Sequence, residues 1–133
     1  MVENQIVIYD EPKWTVYVHE NKINGKKYVG ITSQIPQKRW GKNGNGYKNG
    51  YFKNAITHYG WNEFYHIVLN SNYTSIEAKQ IERMLIKELH TNDQRFGYNL
   101  TTGGDGTCGM IPYNNWKYIW TFNCFIQRPI FDQ

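Results

Sequence analysis

A chain of 133 residues with ordinary apolar content sits within the size of one domain, so a single modest core is expected. Its formal charge of +4, from 15 Lys+Arg against 11 Asp+Glu, is compatible with a polyanionic partner without requiring one, while 17% aromatic content with 11 Tyr favours a surface that packs rings and offers hydroxyls. Cys108 and Cys124 form no C-x-x-C pair, the start lacks a basic-then-apolar leader, and no run approaches the roughly 18 apolar residues of a membrane span; composition thus argues against a structural zinc site, export and a membrane anchor, and a reduced cytoplasmic setting is expected.

Residues 1–13 read as an N-terminal extension. Residues 14–19 and 27–32 are rich in β-branched and aromatic side chains and flank the turn dipeptide Asn24-Gly25, which predicts an antiparallel hairpin. Alternation puts Thr15, Tyr17 and His19 on the more polar face of the first strand, opposite Trp14, Val16 and Val18; Tyr28 likewise points away from Val29 and Ile31. Ser33 ahead of Pro36 predicts a capped short helix over 36–40, running into residues 41–50, whose four glycines predict a mobile basic loop. A second helix is expected over 51–59, ended by Gly60, and a third strand over 63–69. Thr74 and Glu77 have capping-box spacing and open the clearest helix, running to about His90. The fold class is therefore α+β, a three-stranded antiparallel sheet flanked by helices in the order β-β-α-α-β-α. The domain spans about 14–102, and residues 103–133 are an unassigned tail.

Within the last helix Ala78, Ile81, Leu85, Ile86 and Leu89 form one apolar sector, and Glu82 projects into it. A carboxylate there is costly unless its stem reaches a cationic partner or solvent, or unless it binds a cation; both explanations stand on the residues alone. Arg39, beside Lys38 next to the glycine-rich loop, is either a planar clamp for phosphate oxygens or part of a solvated basic pair. Tyr17 and Tyr28 are equally readable as sheet aromatics, and Asn99 as an Asx turn near Gly97. His19, His58, His66 and His90 have no ligand spacing and are expected at the surface or as satisfied core residues.

Taken in order, these residues resemble a family. Thr15-Val16-Tyr17 and Tyr28-Val29-Gly30 on two strands of a hairpin resemble the two name-giving motifs of the GIY-YIG nuclease superfamily. Lys38-Arg39-Trp40 is similar to its helical arginine motif, residues 81–89 to its metal-binding glutamate motif, and Gly97-Tyr98-Asn99 to the turn that closes the domain. The likeness is strongest to phage-type and homing-endonuclease-like members. It departs at Thr15-Val16, which stand where the name has Gly-Ile, and after the arginine, where this chain offers Asn43 and Tyr47 in a stretch that carries histidines in some homing-type members.

The resemblance implies a metal-dependent DNA endonuclease that hydrolyses phosphodiester bonds with one Mg²⁺ or Mn²⁺ per active site, held by Glu82. It also implies that Arg39 clamps the scissile phosphate with Lys38 adding positive potential, that Tyr17 positions and helps deprotonate the water with Tyr28 beside it, and that Asn99 supports the site. Lys38, Arg39, Lys42, Tyr47 and Lys48 are the expected nucleic-acid contacts. The alternative is a non-catalytic nucleic-acid-binding module on the same fold, with tyrosines stacking on bases and the basic loop following phosphates.

Overall fold

The computed structural model of the chain describes residues 11–103. Strands β1 (Trp14–Asn21) and β2 (Lys27–Thr32) are followed by helices α1 (Pro36–Trp40) and α2 (Tyr51–Tyr59), strand β3 (Phe64–Tyr73) and helix α3 (Ser75–Leu89). This is the expected order, β-β-α-α-β-α. The sheet is antiparallel throughout with strand order β2-β1-β3, so the hairpin's first strand is central.

Because side chains alternate along a strand, β1 divides the protein into two halves. Val16, Val18 and Val29 pack against Tyr73 and against Ala78, Ile81, Leu85 and Ile86 of α3 in an aliphatic core. On the other face Tyr17 joins Trp40, Tyr47, Phe52, Ala55, Ile56, Phe64 and Tyr98 in an aromatic core under α1, α2 and the loop between them. The face of β1 that the sequence marks as more polar is thus covered; Thr15, Tyr17 and His19 are all buried there. Register brings Tyr17 opposite Gly30 and His19 opposite Tyr28 on β2, and His19 opposite His66 on β3.

The capping box at α3 forms as its spacing predicts. Thr74 Oγ1 accepts from the Glu77 backbone N–H at 3.2 Å and Glu77 Oε1 accepts from the Thr74 N–H at 2.9 Å, satisfying donors that a helix start leaves unpaired. Three local expectations need correction. Strand β3 runs on to Tyr73, beyond 69, because β1 extends back to Trp14 and pairs with it there. Ser33 does not cap α1; the cap position falls on Ile35, and the helix begins on Pro36, whose fixed φ suits a first turn without a side-chain cap. Residues 41–50 form a compact coil with a 3₁₀ turn at Lys42–Gly44. There the Gly46 N–H donates to Trp40 O at 2.6 Å and the Tyr47 N–H to Gly44 O at 3.1 Å, so part of the stretch expected as a mobile loop is held by backbone pairing.

Past α3 the chain returns along the open edge of β2. The Lys27 N–H donates to Phe96 O at 3.3 Å and the Tyr98 N–H to Lys27 O at 2.9 Å, a short bridge that seats the Gly97-Tyr98-Asn99 turn. Residues 1–10 of the expected extension, residues 104–133 of the expected tail and both cysteines lie outside the described residues. Among the described residues no helix is long and apolar enough to cross a membrane.

Candidate active site

The site grows from the β1–β2 hairpin. Tyr17 lies across Gly30, where an added Cβ would stand 2.5 to 2.7 Å from the Tyr17 ring and hydroxyl. Only glycine leaves room for that ring, so the glycine of one motif seats the tyrosine of the other. Tyr28, half-buried, stacks on Phe52 with ring centres 4.5 Å apart and planes 5° apart, which fixes it on the same face. Arg39 comes in from α1. Its Nη1 donates to Gly46 O at 3.0 Å and its guanidinium lies 4.5 Å over the Tyr47 ring, so the folded loop holds it before any ligand arrives.

Glu82 reaches the site from the opposite face. It projects into the apolar sector of α3 but is half-buried, at the margin where α3 meets residues 99–103, whereas Ala78, Ile81, Leu85 and Ile86 are fully enclosed. It lines a cavity of about 250 Å³ together with Tyr28, Tyr47, Asn99 and Thr101. Gly103, with φ at +85°, packs so closely on its side chain that a Cβ would come within 3.3 Å of the carboxyl carbon.

Asn99 lines the cavity, but its amide is committed to the backbone of β2. Its Oδ1 accepts from the Val29 N–H and its Nδ2 donates to Val29 O, each at 2.9 Å, so its amide takes the place of a neighbouring strand on the β2 edge. It positions Tyr28 and Gly30 through the backbone. Lys38, Lys42 and Lys48 are exposed. Tyr47, expected among the nucleic-acid contacts, is 6% exposed, and its hydroxyl lies 3.1 Å from that of Tyr17. No ring face is left for a base to stack on.

Burial raises the Tyr17 phenol above its ordinary value, the hydrogen bond with Tyr47 and the Arg39 charge work against that rise, and Glu82 adds to it. Burial is also the first cause for Tyr28, followed by Tyr17, with Arg39 lowering and Glu82 raising it. The same cation and carboxylate therefore act on both hydroxyls. Four side chains from β1, β2, α1 and α3, far apart in sequence, converge on one place.

The GIY-YIG catalytic domain family matches residues 13–99 of the chain. The chain belongs to the GIY-YIG family. Comparison with curated proteins and with solved structures gave no match. The family is made up of endonucleases, and GIY-YIG nucleases act on DNA. In this GIY-YIG domain the altered first motif is absorbed by its surroundings: Thr15 Oγ1 donates to Ser71 Oγ at 3.1 Å, Val16 enters the aliphatic core, and Tyr17 keeps its seat.

Among the described residues no three His, Cys, Asp or Glu side chains gather as a metal cage. The donor set at Glu82, one carboxylate beside a cavity with room for several waters, suits a hard ion such as Mg²⁺, which keeps much of its hydration.

Sequence reading missed two residues on the aromatic face. His19 is 0% exposed, with Nδ1 at 2.9 Å from His66 Nδ1 and Nε2 at 2.9 Å from the Tyr47 hydroxyl. Alternation already put His19 on the face of Tyr17; what was missing was the β1–β3 register that delivers His66.

Proposed function

We propose that the chain is a metal-dependent DNA endonuclease that hydrolyses phosphodiester bonds. Within the family, the spelling of its motifs favours a phage-type or homing-endonuclease-like member. The observation that carries this reading is that Arg39 and Glu82 both act on the Tyr17 and Tyr28 hydroxyls, with Tyr28 and Glu82 lining one cavity and Arg39 already braced by Gly46 and Tyr47.

Hydrolysis requires a deprotonated water, charge to offset the non-bridging oxygens and help for the leaving oxygen. Glu82 would hold one divalent ion, Mg²⁺ or Mn²⁺, which when bound supplies positive charge beside the phosphate. Arg39 has five N–H donors in a planar fork; one is spent on Gly46, and the others suit two phosphate oxygens. Tyr17 receives the proton of the attacking water, and Tyr28 orients that water by hydrogen bonding. Lys38, Lys42 and Lys48, all exposed, add positive potential for the DNA backbone, a contribution that salt screens. Asn99 acts by holding the strand that carries Tyr28.

Supercoiled plasmid mixed with the purified protein and Mg²⁺ or Mn²⁺ is expected to be nicked, and Glu82→Gln to lower the rate by about 100-fold or more with the fold retained. Equal nicking by the variant would remove Glu82 from the mechanism. Salt-sensitive DNA binding without cleavage under either metal would instead identify a non-catalytic binding module.

A further inference from the structure

A line of hydrogen bonds runs behind Tyr17 that the family motifs do not contain. Trp61 O lies 3.1 Å from His66 Nε2, His66 Nδ1 lies 2.9 Å from His19 Nδ1, His19 Nε2 lies 2.9 Å from Tyr47 Oη, and Tyr47 Oη lies 3.1 Å from Tyr17 Oη. Tyr17, Tyr47 and His19 are buried, whereas His66 is half-buried and stacked on Trp61 at 3.9 Å.

With His19 neutral and the hydrogen of the buried Tyr47 hydroxyl kept within the line, two arrangements of protons make every bond. A carbonyl oxygen only accepts, so His66 Nε2 carries hydrogen in both. When His66 is neutral, its Nδ1 is a lone pair and His19 Nδ1 must donate to it. His19 Nε2 then accepts from the Tyr47 hydroxyl, and Tyr47, its single proton committed, accepts from Tyr17, opposite to the Tyr47-to-Tyr17 sense in which this bond lowers the Tyr17 phenol. The lone pairs of Tyr17 face away from the line. When His66 is an imidazolium, every bond reverses: His66 donates to His19, His19 to Tyr47 and Tyr47 to Tyr17, whose own O–H turns outward. Hydroxyl and imidazole hydrogens follow the network, so the charge of His66 selects the arrangement.

We propose that His66 and His19, acting through Tyr47, are positioning residues that make Tyr17 a proton acceptor while His66 is neutral and a donor once it is charged. This inference rests on the nuclease reading and completes it, because a buried phenol can take a proton only by passing its own onward. The O–H bond of the attacking water breaks and its proton joins Tyr17. The Tyr17 proton moves to Tyr47, the Tyr47 proton to His19 Nε2, and the His19 Nδ1 proton to His66 Nδ1. Hydroxide remains at the phosphate and His66 becomes the imidazolium. The reversed line then points the Tyr17 O–H outward, and loss of that proton to bulk water returns all four groups to the starting arrangement.

The charges around the line favour the neutral start. Burial lowers His66, the Trp61 carbonyl opposes that shift, and Lys22 lowers it further; Glu63, on the same turn as Trp61, is exposed. His19 is held well below its ordinary value by burial, then by His66 and by Arg39 from α1. One proton therefore enters the pair on acidification, and it resides on His66.

Long-range proton–nitrogen NMR on the ¹⁵N-histidine-labelled protein tests this without any variant. Above the His66 midpoint, His66 is expected as the Nε2–H tautomer and His19 as the less common Nδ1–H tautomer. His19 is expected to switch to Nε2–H as His66 charges, without itself becoming cationic. A His19 that stays Nε2–H at all pH values, or that titrates on its own, overturns the proposal. In nicking assays the wild-type rate is expected to fall about tenfold per pH unit below that midpoint, whereas His66→Gln loses about tenfold or more in kcat at unchanged KM and lacks this fall. A variant with wild-type kcat and the same acid limb also overturns it. Should the wild-type protein nick at no pH with either metal, the nuclease reading fails, and the tautomers still decide the direction of the line.

Discussion

The two faces of the sheet share three strands yet differ in what they ask of their side chains. Against α3, Val16, Val18, Val29, Ile81, Leu85 and Ile86 have no polar atoms to satisfy, so shape and volume suffice. Under α1 and α2, Tyr17, His19 and Tyr47 are as well buried but carry hydroxyls and ring nitrogens that must each find a partner in a fixed place. The aliphatic face therefore carries stability and tolerates change of kind, while the aromatic face carries orientation and does not. Glu82 joins them, because it rides on the aliphatic helix and reaches the cavity around the edge of β2.

The contrast breaks most strongly at Leu85. Leu85→Ala leaves a cavity in a face with no exposure and is expected to cost about 2–5 kcal/mol in urea unfolding, with kcat of the folded fraction unchanged; a lost kcat would show that the faces are coupled. Gly30→Ala tests the other side. Its methyl overlaps the Tyr17 ring, so a destabilisation of about 1–3 kcal/mol is expected together with a fall in nicking rate that exceeds what the unfolded fraction explains. Normal turnover in this variant would mean that the Tyr17 position is not decisive.

The smallest effect separates the faces by pH. His19 and His66 have folded values below the ordinary 6.5, so as pH falls the unfolded chain takes up protons first. Stability is full above about pH 6.5 and is lost as pH drops from there through the folded values. Fully buried His19 contributes at most about 1.4 kcal/mol per pH unit, and half-exposed His66 less because solvent screens it. Thermal melts from pH 7.5 to 5 should show this decline in the wild type and a shallower one in His19→Phe; parallel curves would put the acid sensitivity elsewhere.

Local chemistry explains which parts could be read in advance. The hairpin announced itself by β-branched strands around Asn24-Gly25, α3 by Thr74 and Glu77, and the family by five short motifs in order; each signal lies within a few residues of itself. Residues 41–50 misled because four glycines say only that the backbone is permissive, whereas the pairing of Gly46 with Trp40 decides what it does. Tyr47 was placed with the DNA contacts for the same reason, since no local feature distinguishes a tyrosine facing solvent from one facing inward.

By itself, then, the sequence determined the order of elements and the face on which Tyr17 and Tyr28 stand and marked Arg39 and Glu82 as candidates, because periodicity, capping and motif spelling are short-range. Only the tertiary structure decided that Glu82 sits at a cavity margin, that Asn99 acts through the backbone of Val29, and that His66, His19, Tyr47 and Tyr17 form one line. Those hydrogen bonds join residues 28 to 70 positions apart. They depend on strand register and loop packing, whose selection is a property of the whole core.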